Sequence, residues 1–258
     1  MKITILVEDT TEDSKFESEH GLSMYFEVDG KRFLFDLGQS DAYLKNANKL
    51  DIDLNNINFL VFSHGHYDHT GGISFFDFNN NPNLDIIAHP DSIFPKYDGE
   101  RYIGAPKEIN KLEIKFKEKL TKLTDNVYFL GQIPCIRKKS LGEYVKKGVK
   151  EDDFLLDDSA IVVVEEDKLI VLSGCAHSGI VNIVKYAKQL FNSKEIIVIG
   201  GLHMLHYSSI EIEEVLSELK KLNVVAVFPG HCTGKIAIEK LLGEFKGERI
   251  CSGKVIKV

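Results

Sequence analysis

The spacing of apolar positions in the first third of the chain predicts β-structure that passes into α/β. Strands are expected at 2–7 (KITILV), 23–30 (SMYFEVDG) and 31–38 (KRFLFDLG), with a tight hairpin turn at Asp29-Gly30. Residues 40–53 space their apolar side chains helically, and Ser40 or Asp41 can serve as the N-cap. The run INFLVFS at 57–63 is apolar on both faces, which predicts a buried central strand. Gly71, Gly72 and the following ISFFDF predict a helix leaving the loop after that strand. From about 90 to 157 the periodicity weakens. KLEIKFKEKLTKL at 111–123 fits period two or a helical face equally, and Pro90, Pro95, Pro106 and Pro134 punctuate the stretch. It reads as an insertion or lid on a regular scaffold. Regularity returns with strands at 159–167, 168–174, 195–201 and 224–230, helices at 179–191, 209–222 and 233–245, and a short last strand near KVIKV. No internal repeat or low-complexity linker interrupts the pattern, so a single domain spanning 1–258 is expected, with the insertion at about 90–157.

This pattern places histidine where buried strands end. His64 follows INFLVFS, His89 follows LDIIA, His177 follows LIVLSGCA, His203 follows IIVIGGL and His231 follows VAVFPG. In layered α/β folds the residues just past the carboxyl ends of buried strands line a shared crevice where ligands bind. Five such positions form a constellation, although any single one is more often a packed or loop histidine. The densest part is SHGHYDHTGG, which holds three of the nine histidines and Asp68 within six residues. Neutral imidazoles and a carboxylate are the donors that borderline divalent metals prefer. His64 and His66, two apart in an extended turn, project to the same side. Asp68 and His69 follow as the chain bends, and address a neighbouring position. Such a turn can serve two ions a few ångströms apart if other strand ends complete each set of ligands.

Composition narrows the partners. A formal charge of −7 argues against a nucleic-acid surface, which shows a basic stripe. The basic runs IRKK at 136–139 and KK at 146–147 are too short to form one and read as solvated. No run reaches the roughly eighteen apolar residues of a membrane span, and MKITILVEDT lacks a signal-peptide core. Cys135, Cys175, Cys232 and Cys251 show no framework spacing, so reduced thiols in a cytoplasmic protein are expected.

SHGHYDHTGG after a buried strand resembles the H-x-H-x-D-H signature of the metallo-β-lactamase superfamily, and FLFDLG upstream resembles that family's first motif. PGHCTG resembles the late-chain histidine motif. The resemblance covers most of the chain and implies an α/β fold, the four-layer αββα sandwich of two mixed β-sheets flanked by helices. EHGLSMYFEVDGKRFLFDLG, GCAHSGIVNIV, GGLHM and PGHCTG together resemble one branch, that of 7,8-dihydropterin-6-methyl-4-(β-D-ribofuranosyl)aminobenzene-5′-phosphate synthase. This implies a cytoplasmic, divalent-metal-dependent enzyme acting on a small, phosphorylated substrate. The branch's reaction joins a pterin-methyl diphosphate to an aryl-amine ribosyl phosphate and releases diphosphate. One or two ions are implied, zinc first, with manganese, iron or magnesium as alternatives.

By this resemblance His64, His66 and His177 hold one ion, and Asp68, His69 and His231 the other, while Asp68 and His203 are the candidate catalytic residues. Asp36 would brace the histidine loop without touching metal, and His20 would line the pocket or sit in a surface loop. One departure is clear. Cys175 stands where much of the superfamily has a metal-bridging aspartate, which leaves His177, Asp157 or Asp158 as substitutes, or a weakly held second ion. The Asp157-Asp158 pair by itself reads as a solvated turn. His89, His206 and Glu19 are weaker candidates. A plain metallohydrolase of a phosphodiester, lactone or similar ester is the second reading, and a non-catalytic metal-binding or sensing protein the third.

Overall fold

The computed structural model describes residues 1–135 and 140–258, so the IRKK run at 136–139 lies outside the described residues. The chain divides into two compact units, one built from Met1–Glu118, the described part of Ile136–Asp157 and Cys251–Val258, the other from Lys119–Cys135 and Asp158–Ile250.

The first unit carries a seven-stranded mixed sheet in the order Val255–Lys257, Lys2–Val7, Ser23–Val28, Lys31–Phe35, Phe59–Val61, Asp85–Ala88, Ile114–Phe116. Pairing is antiparallel up to Lys31–Phe35 and parallel from there on. The predicted hairpin turn is present: Asp29 and Gly30 have φ of 54° and 67°, the left-handed pair that a two-residue turn of matching twist requires. A parallel connection needs a crossover, and helix Ala42–Lys49 supplies it between Lys31–Phe35 and Phe59–Val61. Its buried face (Ala42, Tyr43, Ala47) packs into one apolar cluster with Leu34, Leu60, Phe62 and Ile86. Phe59–Val61 is central, as the apolar run predicted. A second, antiparallel sheet of four short strands, Val149–Asp152, Glu143–Lys146, Lys96–Asp98 and Arg101–Tyr102, lies within residues 96–152.

The second unit has a six-stranded sheet, Val224–Gly230, Glu195–Gly201, Lys168–Ser173, Ala160–Glu165, Val127–Phe129 and Thr121–Lys122. The first three strands are parallel and the rest antiparallel. Helices Ile180–Leu190 and Ser209–Lys221 make the parallel crossovers, and with Lys235–Glu244 they bury Ile183, Val184, Leu216, Leu219 and Leu241 against the sheet. Helix Ser209–Lys221 begins where it does because Ser208 and Glu211 form a reciprocal capping box.

Two expectations change. The helix leaving the histidine loop is a single turn, Tyr67–Thr70, followed by the 3-10 turn Gly71–Phe75. Its glycines serve close packing: a Cβ would lie 2.6 Å from the Gln39 carbonyl oxygen at Gly71 and 2.4 Å from that of Leu37 at Gly72. The ambiguous stretch 111–123 resolves into two short edge strands, Ile114–Phe116 and Thr121–Lys122, one in each unit's sheet. Both expose most of their side chains, which is why no clean period marked them.

Candidate metal centre

In the first unit the strand Phe59–Val61 delivers Ser63, His64, Gly65 and His66, and the turn after it delivers Asp68 and His69. Asp36, fully buried at the end of Lys31–Phe35, organises this loop. Its Oδ1 accepts the Ser63 N–H at 2.8 Å, and its Oδ2 accepts the Ser63 hydroxyl and His69 Nδ1–H, both at 2.7 Å. These bonds fix tautomers. His69 spends its Nδ1 proton on Asp36, which leaves a lone pair on Nε2. Ser63 spends its one hydroxyl proton on Asp36, so its oxygen must accept from His64 Nδ1 at 2.9 Å, and His64 also presents Nε2 as a lone pair. The unprotonated nitrogens are thereby set before any ion arrives.

The donor spacings suit metal. His64 Nε2 and His66 Nδ1 are 3.0 Å apart, and His69 Nε2 and Asp68 Oδ2 are 3.6 Å apart. Two nitrogens bound tetrahedrally to one ion at 2.0–2.1 Å would be about 3.3 Å apart. Burial pushes the His66 imidazole down to about 4, only partly opposed by the Asp68 charge, so the ring is neutral near pH 7. The backbone of the turn is held as firmly. Leu22 N–H donates to the Asp68 carbonyl and Leu37 N–H to that of His69. Gly21 adopts φ of 150° where a Cβ would lie 2.4 Å from the Asp68 oxygen. The ring of His20 is exposed and reaches this turn, with its Nδ1 3.1 Å from Asp9 Oδ2 and its Nε2 3.3 Å from Asp68 Oδ2.

The second unit presents its own donors at the ends of its parallel strands. Donor atoms of Cys175, His177 and His203 lie within 4.8 Å of one another, and the His177 and His203 rings are 4.2 Å apart. Asp158 holds the turn that carries His177, accepting the His177 N–H at 3.1 Å and the Ser178 N–H at 2.8 Å. His231 follows Val224–Gly230, with its ring 3.3 Å from the position a Cβ at Gly201 would take. Cys232, beside it, accepts the His203 N–H through Sγ at 3.3 Å and lies 3.5 Å from the Cys175 carbonyl. Burial alone would push the Cys232 thiol up, but its contacts with Cys175, His231 and His203 hold it well below the ordinary value. For His203, burial favours the neutral ring, yet the Cys232 sulfur outweighs it and moves the imidazole up. Its Nδ1 is buried and has no hydrogen-bond partner among the described residues.

Backbone conformation marks the same places. Asp36, Ala176, His203 and His231 all have φ between 47° and 58°, a region that costs a non-glycine residue about 1–3 kcal/mol. Each sits just past a strand, where the chain must turn sharply to aim a side chain.

Some sequence candidates are placed elsewhere. His89 is buried; its Nδ1 accepts the Asp91 N–H and caps the turn Pro90–Ile93, while its Nε2 is buried with no hydrogen-bond partner among the described residues. His206 is exposed. Asp157 and Asp158 are fully buried, which overturns the solvated-turn reading: Asp157 meets Lys96 and the Gly65 N–H, and Asp158 the turn at His177. Sequence reasoning did not single out Ser63, Lys96 or Cys232 as parts of these arrangements. Lys96 gave no signal, while Ser63 and Cys232 each adjoin a candidate ligand.

The family model for the metallo-β-lactamase superfamily matches residues 19–231. A 7,8-dihydropterin-6-methyl-4-(β-D-ribofuranosyl)-aminobenzene-5′-phosphate synthase of Methanocaldococcus jannaschii is 33% identical over the whole chain and 96% of its own length. An uncharacterised protein of the same organism is 34% identical over 93% of each chain. Among solved structures, Tm1679, a metal-dependent hydrolase of the β-lactamase superfamily, is 35% identical with a TM-score of 0.88, covering 100% of this chain and 99% of that one. The chain belongs to the metallo-β-lactamase superfamily and has its fold.

Proposed function

We propose that this protein is a divalent-metal-dependent enzyme acting at a phosphate or diphosphate centre, as the synthase relative's name suggests for that protein. The observation that carries the metal reading is the pair of tautomer-fixing contacts, Asp36 to His69 and Ser63 to His64, which point two Nε2 lone pairs out of a buried loop. The proposed metal ligands are His64, His66, Asp68 and His69 in the first unit and His177 and His231 in the second. Bound there, divalent ions would supply positive charge against phosphate oxygens and acidify water. Zinc fits this imidazole-rich set best; manganese, iron and magnesium are the alternatives. The chain's own contribution is orientation by Asp36 and Asp158, and a proton held at His203. Among the described residues no helix is long and apolar enough to cross a membrane.

His203 is assigned the role of general acid or base because it lies outside the ligands proposed above and its buried Nδ1 has no hydrogen-bond partner among the described residues. His203→Ala is expected to keep its metal content and lose about 10²–10⁴-fold in rate. Metal lost together with rate would make it a ligand instead. A second reading, hydrolysis of a small ester, is favoured by the 35% identity to a metal-dependent hydrolase.

Metal analysis of the purified protein, followed by a substrate panel, tests the proposal. Diphosphate release that requires both a dihydropterin-methyl diphosphate and a ribofuranosylaminobenzene phosphate supports the synthase reading. Turnover of a phosphodiester or lactone alone supports the hydrolase. Bound metal without turnover of any of them would leave a sensing protein.

A further inference from the structure

Lys96 is an ammonium group almost entirely removed from water, 1% exposed in the short strand Lys96–Asp98. Its Nζ donates to Asp153 at 2.7 Å and to Asp157 at 3.0 Å, and Asp157 is itself fully buried. Burial alone would discharge both members of the Lys96–Asp157 pair. Each holds its partner charged instead, the lysine moved up and the carboxylate down. A buried ion pair contributes little net stability compared with apolar side chains of the same volume, so its use lies in the geometry that it fixes.

That geometry reaches the histidine loop twice. Asp157 uses its second oxygen, Oδ2, to accept the Gly65 N–H at 2.8 Å. The Lys96 carbonyl accepts the Ile103 N–H at 2.9 Å, and the Ile103 carbonyl in turn accepts the Tyr67 N–H at 3.0 Å. A further bridge pairs His66 with Gly104. The peptides on both sides of His66 are therefore tied to one residue, through its side chain at position 65 and through its backbone at position 67. Gly65 is also packed closely on Ser92, since a Cβ there would lie 2.1 Å from the Ser92 carbonyl oxygen.

We infer that Asp157, held in place by Lys96, is a positioning residue for the histidine loop: its carboxylate fixes the Gly65 peptide and with it the spacing of His64 and His66. The inference rests on the proposed metal role of those histidines and deepens it. It assigns Asp157 a place behind the loop, as an alternative to the ligand position that the missing aspartate would have filled.

Two variants test it, with Zn²⁺ affinity read by chelator competition and the visible spectrum of the Co²⁺ form as a readout of ligand geometry. Asp157→Ala removes the acceptor at Gly65 and leaves Lys96 paired with Asp153. It is expected to bind Zn²⁺ about 10–100-fold more weakly, the range for losing a ligand-orienting partner, with an altered Co²⁺ spectrum. The triple variant Lys96→Met/Asp153→Asn/Asp157→Asn removes the ammonium and both of its carboxylates, so no charge is left unpaired, and it keeps an amide oxygen that can accept the Gly65 N–H. It should return to within about threefold of the wild-type affinity, well inside the 10–100-fold range. Wild-type affinity and spectrum in Asp157→Ala would overturn the inference, and so would a triple variant as weak as Asp157→Ala. If Asp157→Ala does not fold, the triple variant decides alone by the same criterion. Failure of the wild-type protein to bind Zn²⁺ or Co²⁺ would instead refute the metal reading itself, so the two failures are distinguishable.

Discussion

Asp36→Asn is expected to fold nearly as well as the wild-type protein and yet bind divalent metal about 10–100-fold more weakly. Asparagine tolerates the left-handed φ of 58° at this position and keeps one oxygen to accept the Ser63 N–H. What changes is the atom facing His69. A carboxylate oxygen there accepts from Nδ1–H, whereas an amide nitrogen donates. The ring would then place its proton on Nε2 and cover the lone pair meant for metal. Asp36→Ala should be worse for a different reason. It strands the Ser63 N–H, the Ser63 hydroxyl and the His69 ring in a dry interior, at about 1–3 kcal/mol for each unsatisfied group. Thermal unfolding of the two metal-free variants, beside metal affinity by chelator competition, separates the effects. If Asp36→Asn binds metal like the wild type, tautomer control by this carboxylate is wrong.

The second large effect is expected at His64. Its ring is completely buried, with centroids 4.6 Å from that of His66 and 4.3 Å from that of His69, so it stands at the middle of the loop's donor set. His64→Ala deletes a ligand outright. Its loss of metal affinity should exceed the roughly 10–100-fold that removal of an outer partner costs. Metal content after dialysis should fall by about one ion per chain, and turnover with it. Circular dichroism should show the fold retained, because the sheet beneath His64 is stabilised by an apolar cluster that does not include it. An unchanged metal content in a folded His64→Ala protein would remove this residue from the site.

The histidines were readable because parallel strands buried on both faces appear in sequence as uninterrupted apolar runs, and the residue after such a run sits at the end where function collects. His64, His177, His203 and His231 all lie just past strands, where the apolar runs placed them. The same rule also picks out His89, whose Nδ1 is taken by a local cap two residues away. It was also silent about the supports. Asp157 and Asp158 look like a hydrophilic turn because their partners are remote: Lys96 is 61 residues from Asp157, and the Ser178 N–H is 20 from Asp158. Nothing local in a sequence distinguishes a solvated carboxylate from one that will meet a buried ammonium. The left-handed backbone at Asp36, Ala176, His203 and His231 was equally hidden, because none is a glycine and the strain is imposed by the surrounding fold. Lys96 is the extreme case. One lysine among many carried no mark of burial until its two carboxylates were seen around it.

The central claim is that the histidine loop binds metal through nitrogens whose lone pairs are set by Asp36 and Ser63. Anomalous diffraction from crystals of the zinc-loaded protein, collected at the zinc edge, tests it most directly. The account predicts ions bonded to His64 Nε2 and to His69 Nε2 at about 2.0–2.1 Å. Fully loaded crystals with no zinc on either nitrogen, or with zinc bonded only at other residues, would contradict it.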